Sequence, residues 1–128
     1  MVDVNSSLNE AMKLAGAIGV ALVDWRSEMT LGTAGGGAGM DMEIAAAGNT
    51  EVIRAKHNNM EALGLTGDIE DMLITLDTQI HILRPLKKEP DLFIYIALEK
   101  SQANLAMARL KMRQIEGSLE VYSIVHRS

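Results

Sequence analysis

Two stretches of seven residues, Ala17 to Val23 (AIGVALV) and Leu92 to Leu98 (LFIYIAL), carry no charged side chain on either of their alternating faces. A strand of that kind has no side to turn to water, so both belong in the middle of a sheet with helices on its two faces. The rest of the chain must supply strand neighbours and two helical layers around them.

It does so in order. Asp24 to Glu28 (DWRSE) is a polar turn after the first stretch, and Met29 to Thr33 returns as its hairpin partner. Ile69 to Asp77 and Gln79 to Pro85 are two further extended runs meeting at Asp77-Thr78, a second hairpin. Met72, Ile74 and Leu76 share one face of the first of these runs, and Ile80 and Ile82 one face of the second. Lys87 to Asp91 is a charged loop.

Helical signals fill the gaps. Ser7-Leu8-Asn9-Glu10 matches the S-x-x-E capping box, with Leu8, Met12 and Ala15 at helical spacing and Gly16 as a stop. Asp41 caps a run without proline in which Met42, Ala45, Asn49, Val52, Met60 and Leu63 recur at three- and four-residue steps, closed by Gly64. From Ser101 onward, Leu105, Ala108, Met112, Ile115 and Leu119 mark a last amphipathic helix. The expected order is α-β-β-α-β-β-β-α, a single α/β (α+β) domain. If each hairpin pairs with itself and the two apolar strands pair with each other, the sheet is mainly antiparallel with order 2-1-5-4-3. The strand around Met72 to Leu76 then stands at an edge, where an apolar strand needs a cover or a partner.

A length of 128 residues suits one such domain. It is assigned to residues 1–120, with 121–128 as a C-terminal tail. A formal charge of −5 and no basic run longer than Lys87-Lys88 argue against binding a phosphate backbone, so no nucleic-acid partner is expected. No cysteine is present, which removes disulfides and thiolate metal sites. The acidic N-terminus and the lack of an apolar run of membrane-spanning length give the expectation of a cytoplasmic protein without membrane insertion.

Gly35 to Gly39 (GGGAG) invites comparison with phosphate-binding loops and fails it. A Walker loop would require Lys and Ser/Thr where Ala38 and Gly39 stand, and a dinucleotide fingerprint would require a third spaced glycine where Met40 stands. The loop therefore reads as a connection from a strand to the helix that Asp41 caps. No cofactor is expected. His57, His81 and His126 lie in different elements and form no H-x-x-x-H pair, so no metal site is expected. Glu70-Asp71 and Glu116 with Glu120 are pairs of carboxylates, read as solvated faces of an acidic chain, and no serine sits in a G-x-S-x-G setting. No catalytic residue is assigned and no enzyme is expected. Trp25 reads two ways, as a partner anchor at a turn or as a ring folded back over the sheet edge.

From Leu8 to about Glu116 the chain resembles the roadblock/dynein light chain domain, in its bacterial or archaeal type. The resemblance rests on GAIGVALVD, a glycine-marked turn after the second strand, the helix DMEIAAAGNTEVIRA, the paired strands IEDMLITLDTQIHILRPL, and LFIYIALEKSQANLAMARLKM, whose Asn104-Leu105-Ala106 opens the last helix. The glycine-rich loop and the segment after Leu119 depart from the pattern. The resemblance implies a non-catalytic, profilin-like module that forms homodimers, or heterodimers with a paralogue, by pairing third strands and packing second helices. It also implies a partnership with a small Ras-like GTPase, as binding platform or activator. The expected dimer residues are Ala45, Gly48, Val52, Met72, Ile74 and Leu76, and the expected partner-reading residues are Arg54, His57, Asn58 and Glu61. The rival reading is a small-molecule sensor with a pocket against the sheet and GGGAG as its lid; neighbouring reading frames would separate the two.

Overall fold

The computed structural model describes residues 3–119, apart from the side chain of Ala38. The elements are α1 (Val4–Ala11), β1 (Ala17–Asp24), β2 (Met29–Gly35), α2 (Met42–Ala62), β3 (Met72–Thr75), β4 (Gln79–Pro85), β5 (Leu92–Glu99) and α3 (Leu105–Ser118), with a short 3-10 turn at Gly37–Gly39. All strand pairs are antiparallel and the sheet order is β2-β1-β5-β4-β3, the expected one. The expected C-terminal tail lies outside the described residues.

The two apolar strands pair centrally, Leu22 opposite Ile94 and Val20 opposite Ile96. Their alternating residues fill two cores. Val20, Leu22, Ile82, Ile94, Ile96 and Leu98 pack with Leu8 and Ala11 of α1 and with Ala108, Met112 and Ile115 of α3. On the opposite face Ala21, Val23, Leu83, Phe93, Tyr95 and Ala97 pack under Met42, Ala46 and Ile53 of α2.

Three elements differ from the sequence reading. Helix α1 begins at Val4 because Asp3 caps it, its carboxylate accepting from the Ser6 N–H; Ser7 is buried inside the helix instead of opening it. Strand β3 is only four residues long, since Asp71 is drawn off into ion pairs and Leu76 already belongs to the turn. In α2 the buried stripe is Met42, Ala46, Thr50 and Ile53, so the expected stripe through Ala45, Asn49 and Val52 is a half-buried flank. The other caps are as expected or close by: Asp41 accepts from the N–H groups of Glu43 and Ile44, and Asn104 from that of Met107.

The start of the glycine loop is tightly fitted, while a Cβ at Gly37 or Gly39 would meet nothing. Gly36 has φ +82, donates its N–H to the Ile18 carbonyl at 2.8 Å, and a Cβ there would stand 2.5 Å from the Met40 oxygen. Gly19 is bare for a similar reason, because a Cβ would run into the Met42 thioether. These glycines bring β1, β2 and the start of α2 together, so their occurrence needs no phosphate to explain it. Calorimetric titrations of the protein with ATP and with GTP are expected to be flat; saturable heat would revive the phosphate loop.

Asp71 and Glu116 are not solvated carboxylates. Arg84, 2% exposed, donates from Nε to Glu116 at 2.8 Å and from Nη1 to Asp71 at 3.3 Å. Arg109 reaches Asp71 at 3.0 Å, and the second oxygen of Glu116 accepts the Lys87 N–H at 2.6 Å. Burial forces such charges to find partners, and here they tie α3 to β4 and to the residue that leads into β3.

Candidate functional site

The C-terminal half of α2 and the β1–β2 turn enclose a cleft of about 490 Å³. Its floor is Trp25, 8% exposed, whose indole N–H donates to the Pro90 carbonyl at 3.0 Å. The ring stacks on His57 with centroids 4.8 Å apart and planes 17° from parallel, and the Arg26 guanidinium lies 4.8 Å from the ring centre. Of the two readings of Trp25, the folded-back ring is the observed one. Arg26 is held in turn by Asp91 at 2.6 Å.

Arg54 comes back from α2 toward the same turn. Its Nη2 donates to the Trp25 carbonyl at 2.9 Å, and its Nη1 meets Glu51 and, at 3.5 Å, Glu28. His57, Asn58 and Glu61 complete the helical wall, and Met60, Leu65 and Gly67 the end where α2 runs out. Arg54, His57, Asn58 and Glu61 thus share one cleft inside a single protomer. Arg54 and His57 are half-buried in its wall, and Asn58 and Glu61 are exposed at its mouth. The Nε2 atom of His57 is shielded from solvent and has no hydrogen-bond partner among the described residues.

The second region is the β3 edge. Strand β3 has β4 on one side and no strand on the other among the described residues. Leu76 donates its N–H to the Gln79 carbonyl at 2.8 Å across the turn. Since hydrogen-bonded pairs alternate in an antiparallel ladder, the N–H groups of Ile74 and Met72 also serve β4, while those of Leu73 and Thr75 point to the open side. On the α2 face of this edge Met72 and Ile74 are half-buried, packing like Ala45 and Val52 against the core under α2. Helix α2 makes its main backbone approaches to β1 and β2. Gly48 is exposed, Leu76 is 44% exposed, and two apolar side chains not singled out from the sequence join the region, Ile44 at 71% and Leu73 at 41%. Ile44, Gly48 and Val52 are four residues apart, a second helical row that the spacing contained.

Between the two regions sits a polar triplet. His81, opposite Ile74 in the ladder, has Nε2 2.7 Å from the Gln79 amide oxygen and Nδ1 3.3 Å from the Tyr95 hydroxyl. Nε2 faces an acceptor and so carries a hydrogen, while the role of Nδ1 follows the orientation of the Tyr95 hydroxyl, which also reaches the Met40 sulfur at 3.9 Å. Burial holds the His81 pKa below its ordinary 6.5 and pushes the Tyr95 hydroxyl up. A depressed histidine lets the unfolded chain take up protons first. The corresponding stability is present above pH 6.5 and declines as the pH falls below that value. Thermal unfolding followed from about pH 8 to about pH 5.5 is expected to show this loss in the wild type and a smaller one in His81→Gln.

No family model matches the sequence, and no curated protein matches it. Structures do. MglB of Myxococcus xanthus superimposes with a TM-score of 0.76 at 15% identity, over 88% of this chain and 81% of that one. The Roadblock/LC7 domain from Streptomyces avermitilis gives 0.76 at 12% identity, over 91% and 94%. The chain has the roadblock fold. MglC of Myxococcus xanthus, at 18% identity and a TM-score of 0.59 over 88% and 92%, shares it less closely. The roadblock fold accounts for the helix on one face, the two on the other, and the strand order that leaves β3 at an edge. Among the described residues no group of three His, Cys, Asp or Glu is placed to hold a metal ion, and no helix is long and apolar enough to cross a membrane.

Proposed function

We propose that the chain is a non-catalytic, dimeric scaffold or regulator of a small Ras-like GTPase, acting in the cytoplasm. The observation that carries the reading is the β3 edge, where backbone groups without a partner among the described residues lie beside exposed and half-buried apolar side chains. Two copies pairing along β3 would continue the sheet and bring the flanks of two α2 helices together. Ala45, Gly48, Val52, Met72, Ile74 and Leu76 would be the contacts, with Ile44 and Leu73 added. Small residues at Ala45 and Gly48 allow a close helix approach, and a stable interface of this kind buries on the order of 1,000 Å² or more. A paralogue with the same edge would give a heterodimer. The likeness to MglB and MglC structures supports an interaction module with the same fold and an oligomeric habit, one of the similar structures being described as MglB with a tetrameric arrangement.

The GTPase would be read by Arg54, His57, Asn58 and Glu61. Of these, Arg54 makes a poor probe, because its contacts with the Trp25 carbonyl, Glu28 and Glu51 hold the turn as well. Glu61 is exposed and replaceable. Co-purification of the protein from its own cell extract is expected to bring down a small GTPase. Glu61→Arg should weaken the complex about tenfold and alter its salt dependence, while Arg113→Glu on α3 leaves it as in the wild type. Equal effects from both substitutions would place the docking surface elsewhere, and sedimentation as a monomer at micromolar concentration would defeat the dimer.

A further inference from the structure

A titratable ring shares its face of the sheet with two of the side chains in the proposed dimer contact. His81 stands directly opposite Ile74 in the β3–β4 ladder, so both point to the α2 face, and Met72 lies on that face two residues before Ile74. His81 is half-buried, one strand in from the edge where a second copy would pair. A copy seated on β3 would close over the ring.

The surroundings hold no ion-pair partner for a charged imidazole. Gln79 lies beside it on β4, Tyr95 and Ala97 on β5, and Asn49 of α2 comes in through the Tyr95 hydroxyl. The charged residues that these elements carry toward the same side are Glu99, opposite Gln79 at the end of β5, and Lys56, one helical turn beyond Val52. Neither pairs with His81. Asp71 and Arg84 belong to the other face, where they bind each other.

The hydrogen bonds single out the atom that titrates. Nε2 faces the Gln79 oxygen and keeps its hydrogen in either state, which leaves Nδ1. With Nδ1 bare, the Tyr95 hydroxyl can donate to it; with Nδ1 protonated, that hydroxyl must turn its hydrogen away, toward the Met40 sulfur or Asn49. A single protomer can make that turn while water still reaches the ring. A second copy would remove the water, and the cost of losing it falls on the cationic form. We propose that His81 makes self-association acid-sensitive, the neutral imidazole being the form over which two copies close and its protonation at Nδ1 the event that parts them. The inference rests on the β3-edge dimer proposed above and adds its regulation.

The direction in pH follows from linkage. Association lowers the proton affinity of Nδ1, so this contribution to dimer strength is complete above the protomer's own His81 pKa, which burial already holds below 6.5, and fades as the pH falls through that value. General electrostatics run the other way. A chain of net charge −5 repels its copy less as it takes up protons, so weakening in acid opposes the trend of the surface charge.

Sedimentation over a concentration series, at about pH 7.5 and again at about pH 5.5, reads the effect. The expected result is a wild-type dimer dissociation constant about tenfold larger at the lower pH, two rings being buried per dimer. In His81→Gln the constant should stay level or fall. An NMR titration of the wild type tests the same linkage without a substitution: the His81 imidazole should titrate at lower pH in a concentrated, dimeric sample than in a dilute, monomeric one. A wild-type constant that does not rise in acid, equal weakening in His81→Gln, or one midpoint for both NMR samples would overturn the inference and leave the dimer standing. Sedimentation as a monomer at both pH values would defeat the dimer and the inference together.

Discussion

Replacing Arg84 with methionine lowers the free energy of unfolding by about 3–5 kcal/mol, as expected when one member of a buried ionic network is removed and the others stay behind. The guanidinium is 2% exposed and bridges Glu116 and Asp71, whose side chains are each 8% exposed. Methionine fills much of the stem volume, so the loss isolates the charge and not the packing. Glu116 would be left with the Lys87 N–H and Asp71 with Arg109. Denaturant unfolding at fixed protein concentration measures it, since stability and assembly are linked. The double variant Arg84→Met with Glu116→Leu should regain a large part of the loss, because it removes a stranded charge. A single-variant loss below about 1 kcal/mol would mean that water reaches the cluster.

Thr75→Pro separates dimerisation from folding. The Thr75 N–H points away from β4, so proline there removes a donor that only a second strand would use. Ile74→Pro, by contrast, cuts a bond to β4 and damages the protomer itself. The expected outcome is a dimer dissociation constant raised at least about tenfold for Thr75→Pro, with the thermal transition of the separated protomer little changed. Analytical ultracentrifugation over a concentration series reads the first quantity. A dimer as tight as the wild type would show that the subunits meet elsewhere, the helix α3 face with its exposed Met107 and Leu110 being the next surface to test.

Much of the architecture was legible because it depends on local pattern. The two strands without a polar face could only be central, and the hairpin turns at Asp24 to Glu28 and at Asp77-Thr78 determined which strands flank them. Helix α2 was legible in extent but rotated in face, because Ala45, Asn49 and Val52 are as apolar or small as the truly buried row, and nothing in one chain says which row meets its own sheet. Asp71 and Glu116 were misjudged for a related reason. Their partners Arg84 and Arg109 lie 13 and 38 residues from Asp71, and no spacing rule links a carboxylate to a cation across a sheet. At the candidate cleft the four helical residues were visible as a polar group. Their enclosure by Trp25 depended on the indole reaching Pro90, 65 residues away.

The central pairing of β1 with β5 also governs how the molecule comes into being. Leu22 waits for Ile94, and β2, α2, β3 and β4 must all be made before the two meet. Each hairpin closes over a short loop and can form early, yet β1 within its hairpin has β2 on one side only. During synthesis β1 would therefore emerge with an unsatisfied flank until the last strand leaves the ribosome. Long-range closure of this sort slows folding and lengthens exposure to misassociation. A nascent chain halted before Leu92 would be a candidate for chaperone capture, and assembly through β3 would have to follow completion of the protomer, since β3 is anchored to the sheet only through β4 and β4 only through β5.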